Sequence, residues 1–185
     1  MVGDFCEGSK YYGGRLLSFA VVHSSFEIVD FLLAQKAPLD GTDRKGNSAL
    51  HMCVRHDRPK ILKHLQDIAS SIDGKLDSLL LHVNEELLTP LTYAVVHDKP
   101  DIFRQLLDMQ GKLLWSYGPV SCMQYPLREL DSLYRGPSRD RSHSVLHLIA
   151  KFGNTETIGS HPVVAQVWPG FAGFSHRLLH FRECR

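Results

Sequence analysis

Ser48-Ala49-Leu50-His51-Met52-Cys53 and Thr89-Pro90-Leu91-Thr92-Tyr93-Ala94 are the stretches that decide the fold. Each places a hydroxyl residue, then a small residue or proline, then a leucine ahead of an apolar run. Less regular copies stand at Arg15-Leu16-Leu17-Ser18-Phe19-Ala20 and Ser144-Val145-Leu146-His147-Leu148-Ile149. Leu17 and Leu50 lie 33 residues apart, Leu50 and Leu91 lie 41 apart, and Leu91 and Leu146 lie 55 apart. A second apolar set follows each leucine in register. Ile28, Val29 and Leu32 become Ile61, Leu62 and Leu65 after 33 residues, then Ile102, Phe103 and Leu106 after 41 more. That spacing gives one apolar face on a helix. The unit is therefore a pair of short antiparallel helices, in the first copy roughly 16–23 and 27–33. Such a pair cannot bury its apolar faces alone and is stabilised by stacking on its neighbours.

A period of 33 is that of the ankyrin repeat. Thr89-Pro90-Leu91 matches the ankyrin Thr-Pro-Leu-His pattern. Thr89 is placed to cap a helix, and Pro90 fits the first helical position, where no N–H is needed. Ser48 and Ser144 fill the same capping slot, and His51 and His147 hold the pattern's histidine. Asp43-Arg44-Lys45-Gly46-Asn47 supplies glycine where a tight turn wants positive φ. The expected fold is mainly α: an ankyrin-repeat solenoid of three regular helix pairs and one irregular one, with a short β-hairpin insertion. Its repeat core is Leu17, Ala20, Leu50, His51, Leu91, Ala94, Leu146 and His147. Arg15 and Ser18 make the first unit less regular. The stretch 68–83 lengthens the second, and Thr157 falls where the fourth needs an apolar residue.

Composition narrows the function. The chain has 185 residues, 43% apolar and 22% charged, as a globular domain does. A net charge of +1 gives no footprint for nucleic acid. The acidic N-terminus is no signal peptide, and no apolar run reaches the ~18–20 residues of a membrane helix, so the chain is expected to be soluble. Cys6, Cys53, Cys122 and Cys184 follow no disulfide or metal spacing and read as reduced thiols. His51-x-Cys53-x-x-His56 is the spacing that suggests zinc. Both His51 and Cys53 fall on the repeat signature, about 200° apart on a helix, so they read as structural. Arg44-Lys45 and the run Arg135 to Arg141 read as solvated turns offset by Asp43 and Asp140. No catalytic constellation or nucleotide loop is present. No enzyme activity, metal or cofactor is expected.

Between the third and fourth leucines the chain reads Trp115-Ser116-Tyr117-Gly118-Pro119-Val120-Ser121-Cys122-Met123-Gln124-Tyr125. Trp115, Tyr117, Val120 and Tyr125 are strand formers, and Gly118-Pro119 is a turn signal. Two strands in a hairpin are expected, with an edge that invites a further strand from the same chain or a partner.

Ankyrin units followed by Trp115, Tyr117, Gly118, Val120, Tyr125, Leu127 and Asp131, then Ser144-Val145-Leu146, resemble the vanilloid-type branch of transient receptor potential cation channels. Tyr12-Gly13-Gly14 resembles the lead-in to a middle repeat of those channels. His161-Pro162-Val163-Val164-Ala165-Gln166-Val167-Trp168 is similar to the short helix before their first transmembrane segment. The resemblance implies the later half of a channel's cytosolic N-terminal ankyrin domain. It also implies that the hairpin joins a small sheet packed on ankyrin loops of a neighbouring subunit in a tetramer that passes cations, including calcium. The segments are then an N-terminal extension 1–11, ankyrin repeats 12–113, a hairpin linker 114–134, an irregular last repeat with the pre-membrane helix 135–168, and an irregular tail 169–185. The chain would lie on the cytoplasmic face of a membrane. Its partners would be other channel subunits or regulatory proteins, and Trp115, Tyr117, Val120 and Tyr125 would form the subunit or partner interface. The earlier units, which hold a nucleotide and calmodulin surface in some members, are not in this chain, so that site is not carried over. The alternative is a free-standing ankyrin adaptor that binds a protein partner.

Overall fold

The computed structural model describes residues 15–23, 25–131, 143–153 and 157–167, and residues 181–184 in backbone alone. The N-terminal extension 1–11, the lead-in 12–14, the basic run 135–141, Trp168 and residues 169–180 of the tail lie outside the described residues.

Helices α1 (Leu16–Val22) and α2 (Phe26–Ala34) form the first unit. The second is α3 (Ala49–Arg55) with α4 (Pro59–Ser70), followed by an inserted helix, α5 (Lys75–Leu80). The third is α6 (Pro90–Val96) with α7 (Pro100–Gln110). Pro59 and Pro100 open the outer helices at their first turn, where a missing N–H costs nothing. Thr89 caps α6: its hydroxyl accepts from Thr92 N–H, and the Thr92 hydroxyl accepts from Thr89 N–H at 2.8 Å. The inner helices stack α1 on α3 on α6, and α4 packs on α7 with α5 against both.

Repeat equivalence is visible in burial. Ile61 and Ile102 are sealed, whereas Ile28, in the same slot of the first unit, is 50% exposed. Leu17, Ala20, Leu50, His51, Leu91 and Ala94 are all buried. His51 shows how successive units lock. Its Nδ1 accepts from Ser48 N–H at 3.2 Å, so Nε2 carries the proton and donates to Leu88 O at 3.0 Å, in the turn leading to the third unit.

The last unit departs from the expected register. In α8 (Val145–Phe152) the buried residues are Val145, Leu148 and Ile149, whereas Leu146 is half-buried and His147 is exposed. Leu146 therefore packs against the core from its margin, and His147 is not a repeat-core residue. Among the described residues no following turn offers His147 the carbonyl that Leu88 offers His51. Thr157 stands in a turn, not in an outer helix, and its hydroxyl donates to Asp98 Oδ1 at 2.7 Å. A short helix, α9 (Pro162–Val167), covers the end with Val163 and Val164.

Strands β1 (Lys112–Tyr117) and β2 (Val120–Gln124) form the antiparallel hairpin, turning at Gly118, φ +56°. Tyr117 pairs with Val120 and Trp115 with Cys122; the register breaks at Leu114. β1 begins two residues before the expected linker. The tail is not wholly irregular: β3 (Phe181–Cys184) pairs antiparallel with the other edge of β2. The unpaired donors and acceptors of that edge account for the strand Pro and Gly content alone did not suggest.

Candidate interaction surface

The hairpin is set by its roots. Gly111, between α7 and β1, has no room for a side chain: a Cβ there would meet Tyr125 Cε1 at 2.9 Å and Met123 Cε at 3.1 Å. The Tyr125 ring therefore lies against the backbone at the end of α7, 8% exposed, and its hydroxyl donates to Asp108 Oδ1 at 3.4 Å. Tyr125 is thus an internal anchor and not an interface residue, which corrects the sequence expectation. Burying its ring against the stack removes more apolar area from water than a pendant position would.

Glu129, also buried, holds the second root. Its Oε2 accepts from the Thr89 hydroxyl at 3.1 Å and from Gln110 Nε2 at 3.4 Å. Its carbonyl accepts from Val145 N–H at 2.9 Å, and Leu130 O accepts from Leu146 N–H at 3.2 Å. One short segment therefore joins the cap of α6, the end of α7 and the start of α8.

These roots orient the two strands differently. On β2, Cys122 is buried and Val120 half-buried. Every residue of β1 is exposed, on both faces of the strand. Tyr117 is 85% exposed and Trp115 49%, and Leu113 and Leu114 stand beside them in solvent. The structure thus brings Trp115 and Tyr117 onto one free strand, sets Val120 at its margin and removes Tyr125. Leu113 and Leu114 extend the surface. Sequence reading ended the repeats at Leu113 and began the hairpin linker at Leu114 without naming either as a site residue; two adjacent leucines just ahead of Trp115 were the available signal. Large apolar side chains exposed together on one strand are uncommon on the surface of a monomeric soluble protein.

The repeat geometry is that of ankyrin, and the model for "Ankyrin repeats (3 copies)" matches residues 17–114, more than half of the chain. This chain belongs to the ankyrin-repeat family. Within it, its relatives are channels. It is 35% identical to transient receptor potential cation channel subfamily V member 5 of Mus musculus over 124 residues, which is 66% of this chain and 17% of that protein. It is 34% identical to subfamily V member 6 of Rattus norvegicus over the same share of the chain, 16% of that protein. With subfamily V member 2 of Mus musculus the identity is 30% over 166 residues, 78% of the chain and 21% of the relative. The chain is a vanilloid-type ankyrin-repeat region that spans about a fifth or less of the length of these relatives. No ankyrin helix among the described residues is long and apolar enough to cross a membrane.

Proposed function

We propose that this ankyrin region is a cytosolic module of a vanilloid-type, calcium-permeable cation channel, and that it works by binding rather than catalysis. In this reading β1 is the assembly surface: Trp115 and Tyr117, with Val120 at the margin, seat against a neighbouring channel subunit or a regulatory protein. The observation that carries it is the exposure of β1 on both faces, rooted on a rigid stack by Tyr125 and Glu129. Large aromatic side chains held free on a fixed strand are the residue types that dominate binding hot spots. The module works at the cytoplasmic face of the membrane.

Co-expression of the tagged chain with full-length mouse subfamily V member 5, followed by affinity purification, tests this. The wild-type chain is expected to retain the channel subunit, and Trp115→Ala/Tyr117→Ala to lose it without a change in thermal midpoint. Equal retention by the double variant overturns the assignment of the surface. Failure of the wild-type chain to retain the subunit overturns the channel reading and leaves the free-standing adaptor.

A further inference from the structure

We propose that the outer edge of β3 pairs with the β3 of a second copy of this chain, so that Arg182 and Glu183 of each copy stand opposite Glu183 and Arg182 of the other. This surface is at the far side of the sheet from β1 and does not depend on the role given to β1. The strand order is β1-β2-β3, so β3 is an edge of the sheet, and among the described residues no further strand covers it. An edge of this kind presents a row of N–H and C=O groups that another chain can complete. β3 pairs antiparallel with β2 in an unbroken register: Val120 opposite Cys184, Ser121 opposite Glu183, Cys122 opposite Arg182 and Met123 opposite Phe181. The other edge is less regular, since the register of β1 with β2 shifts between Leu113 and Trp115. A bulge bends its strand and interrupts the ladder, so the continuous edge is that of β3.

The sequence of β3 makes it complementary to itself. It reads Phe181-Arg182-Glu183-Cys184, with two opposite charges adjacent at its centre. Let two such strands run antiparallel about a two-fold axis between positions 182 and 183. Every residue of the strand is then paired, Arg182 with Glu183 on both sides of the axis and Phe181 with Cys184 at both ends. Opposite charges directly across a strand pair stabilise it, and like charges destabilise it. A slip of one residue either way moves the axis onto Arg182 or onto Glu183 and sets that residue against its own copy. Charge therefore selects one register, where an uncharged edge would be free to slip. Isologous pairing of this kind closes at two copies, because each copy uses up the edge it brings. The product is one antiparallel sheet in the order β1-β2-β3-β3-β2-β1, with the three strands of each copy on either side of the axis. The seam is separated from Trp115 and Tyr117 by β2, so pairing leaves β1 open to another partner. A contact of this size makes a weak, reversible dimer that forms at high local concentration.

The test is sedimentation equilibrium of the full chain across a wide range of concentration, with a thiol reductant present so that no disulfide contributes. Wild type is expected to pass reversibly from monomer to dimer. Arg182→Glu alone, or Glu183→Arg alone, sets like charges opposite each other at both central pairs and is expected to raise the dissociation constant about tenfold or more. Mixing those two variants restores opposite charges at both pairs, so the mixture is expected to recover the dimer. Arg182→Glu/Glu183→Arg, which exchanges the charges within one chain, is expected to recover it as well. Recovery separates a pairing role from damage to β3, because two damaged strands would not repair one another. The proposal is overturned if wild type stays monomeric throughout, or if either single variant associates as tightly as wild type. It is overturned also if the mixture or the double variant fails to recover the dimer.

Discussion

Leu91→Ala probes the repeat register directly. Leu91 is 1% exposed in the inner helix of the third unit, between α3 on one side and α8 on the other. Deleting its three outer carbons forfeits about 1.5–3 kcal/mol of apolar transfer. Helices on both sides are held by their own cores and cannot collapse fully, so a cavity contribution adds and the total comes to about 3–4 kcal/mol, within the range for buried Leu→Ala. Leu146→Ala is the matched control. The repeat pattern puts it in the same slot, but it is half-buried, so about 1 kcal/mol is expected. Urea unfolding reads both by far-ultraviolet circular dichroism. With a slope of about 2 kcal/mol per molar, Leu91→Ala lowers the midpoint by about 1.5 M and Leu146→Ala by about 0.5 M. Equal shifts, or a Leu91→Ala shift near zero, would refute the stacking order on which every other assignment rests.

Leu87 holds φ +59° in the slot that Gly46 fills 41 residues earlier. Leu87→Gly exchanges about 1–2 kcal/mol of left-handed strain for the greater freedom of glycine in the unfolded chain, about 0.5–1 kcal/mol. The net gain of roughly 0.5–1 kcal/mol raises the melting temperature by about 1–4 °C in a chain of this size; a fall would show that the leucine packs. Gly111→Ala drives a methyl against the Tyr125 ring and should expose Tyr125, seen as faster amide exchange across β2; unchanged exchange would refute the anchor. Burial holds the His51 imidazole well below its usual range, at about 4. Between pH 6.5 and about 4 the unfolded chain binds a proton that the folded one refuses, so stability falls with acidification through that window, by an amount of order 3 kcal/mol. His51→Gln should flatten that part of the profile relative to wild type, and parallel profiles would exclude His51 as the cause.

The stack was legible because local and global signals agree. Thr89-Pro90-Leu91 carries its own cap, its first-turn proline and its core leucine, and Ile61 and Ile102 repeat an apolar face that only stacking can bury. The sequence also placed the Gly118-Pro119 turn. It misjudged positions whose fate is set by neighbours far along the chain. Tyr125 looks like any strand aromatic until the missing side chain of Gly111 opens a place for its ring. His147 matches the signature, yet its hydrogen bond depends on a following turn. Glu129 carries no local signal at all, since its role arises from Thr89 and Gln110, distant in sequence. Leu87 was hidden for a different reason: repeat matching by apolar residues does not register that a glycine slot has been filled.

The most direct measurement of the central claim places a photo-crosslinking amino acid at Tyr117 of the full chain, co-expressed with mouse subfamily V member 5 and irradiated in cells. A covalent adduct of chain and channel subunit is expected from position 117, with none from Lys63, which is exposed on α4. Equal adduct from both positions, or none from Tyr117, would contradict the assignment of β1 as the surface that joins this ankyrin region to a channel.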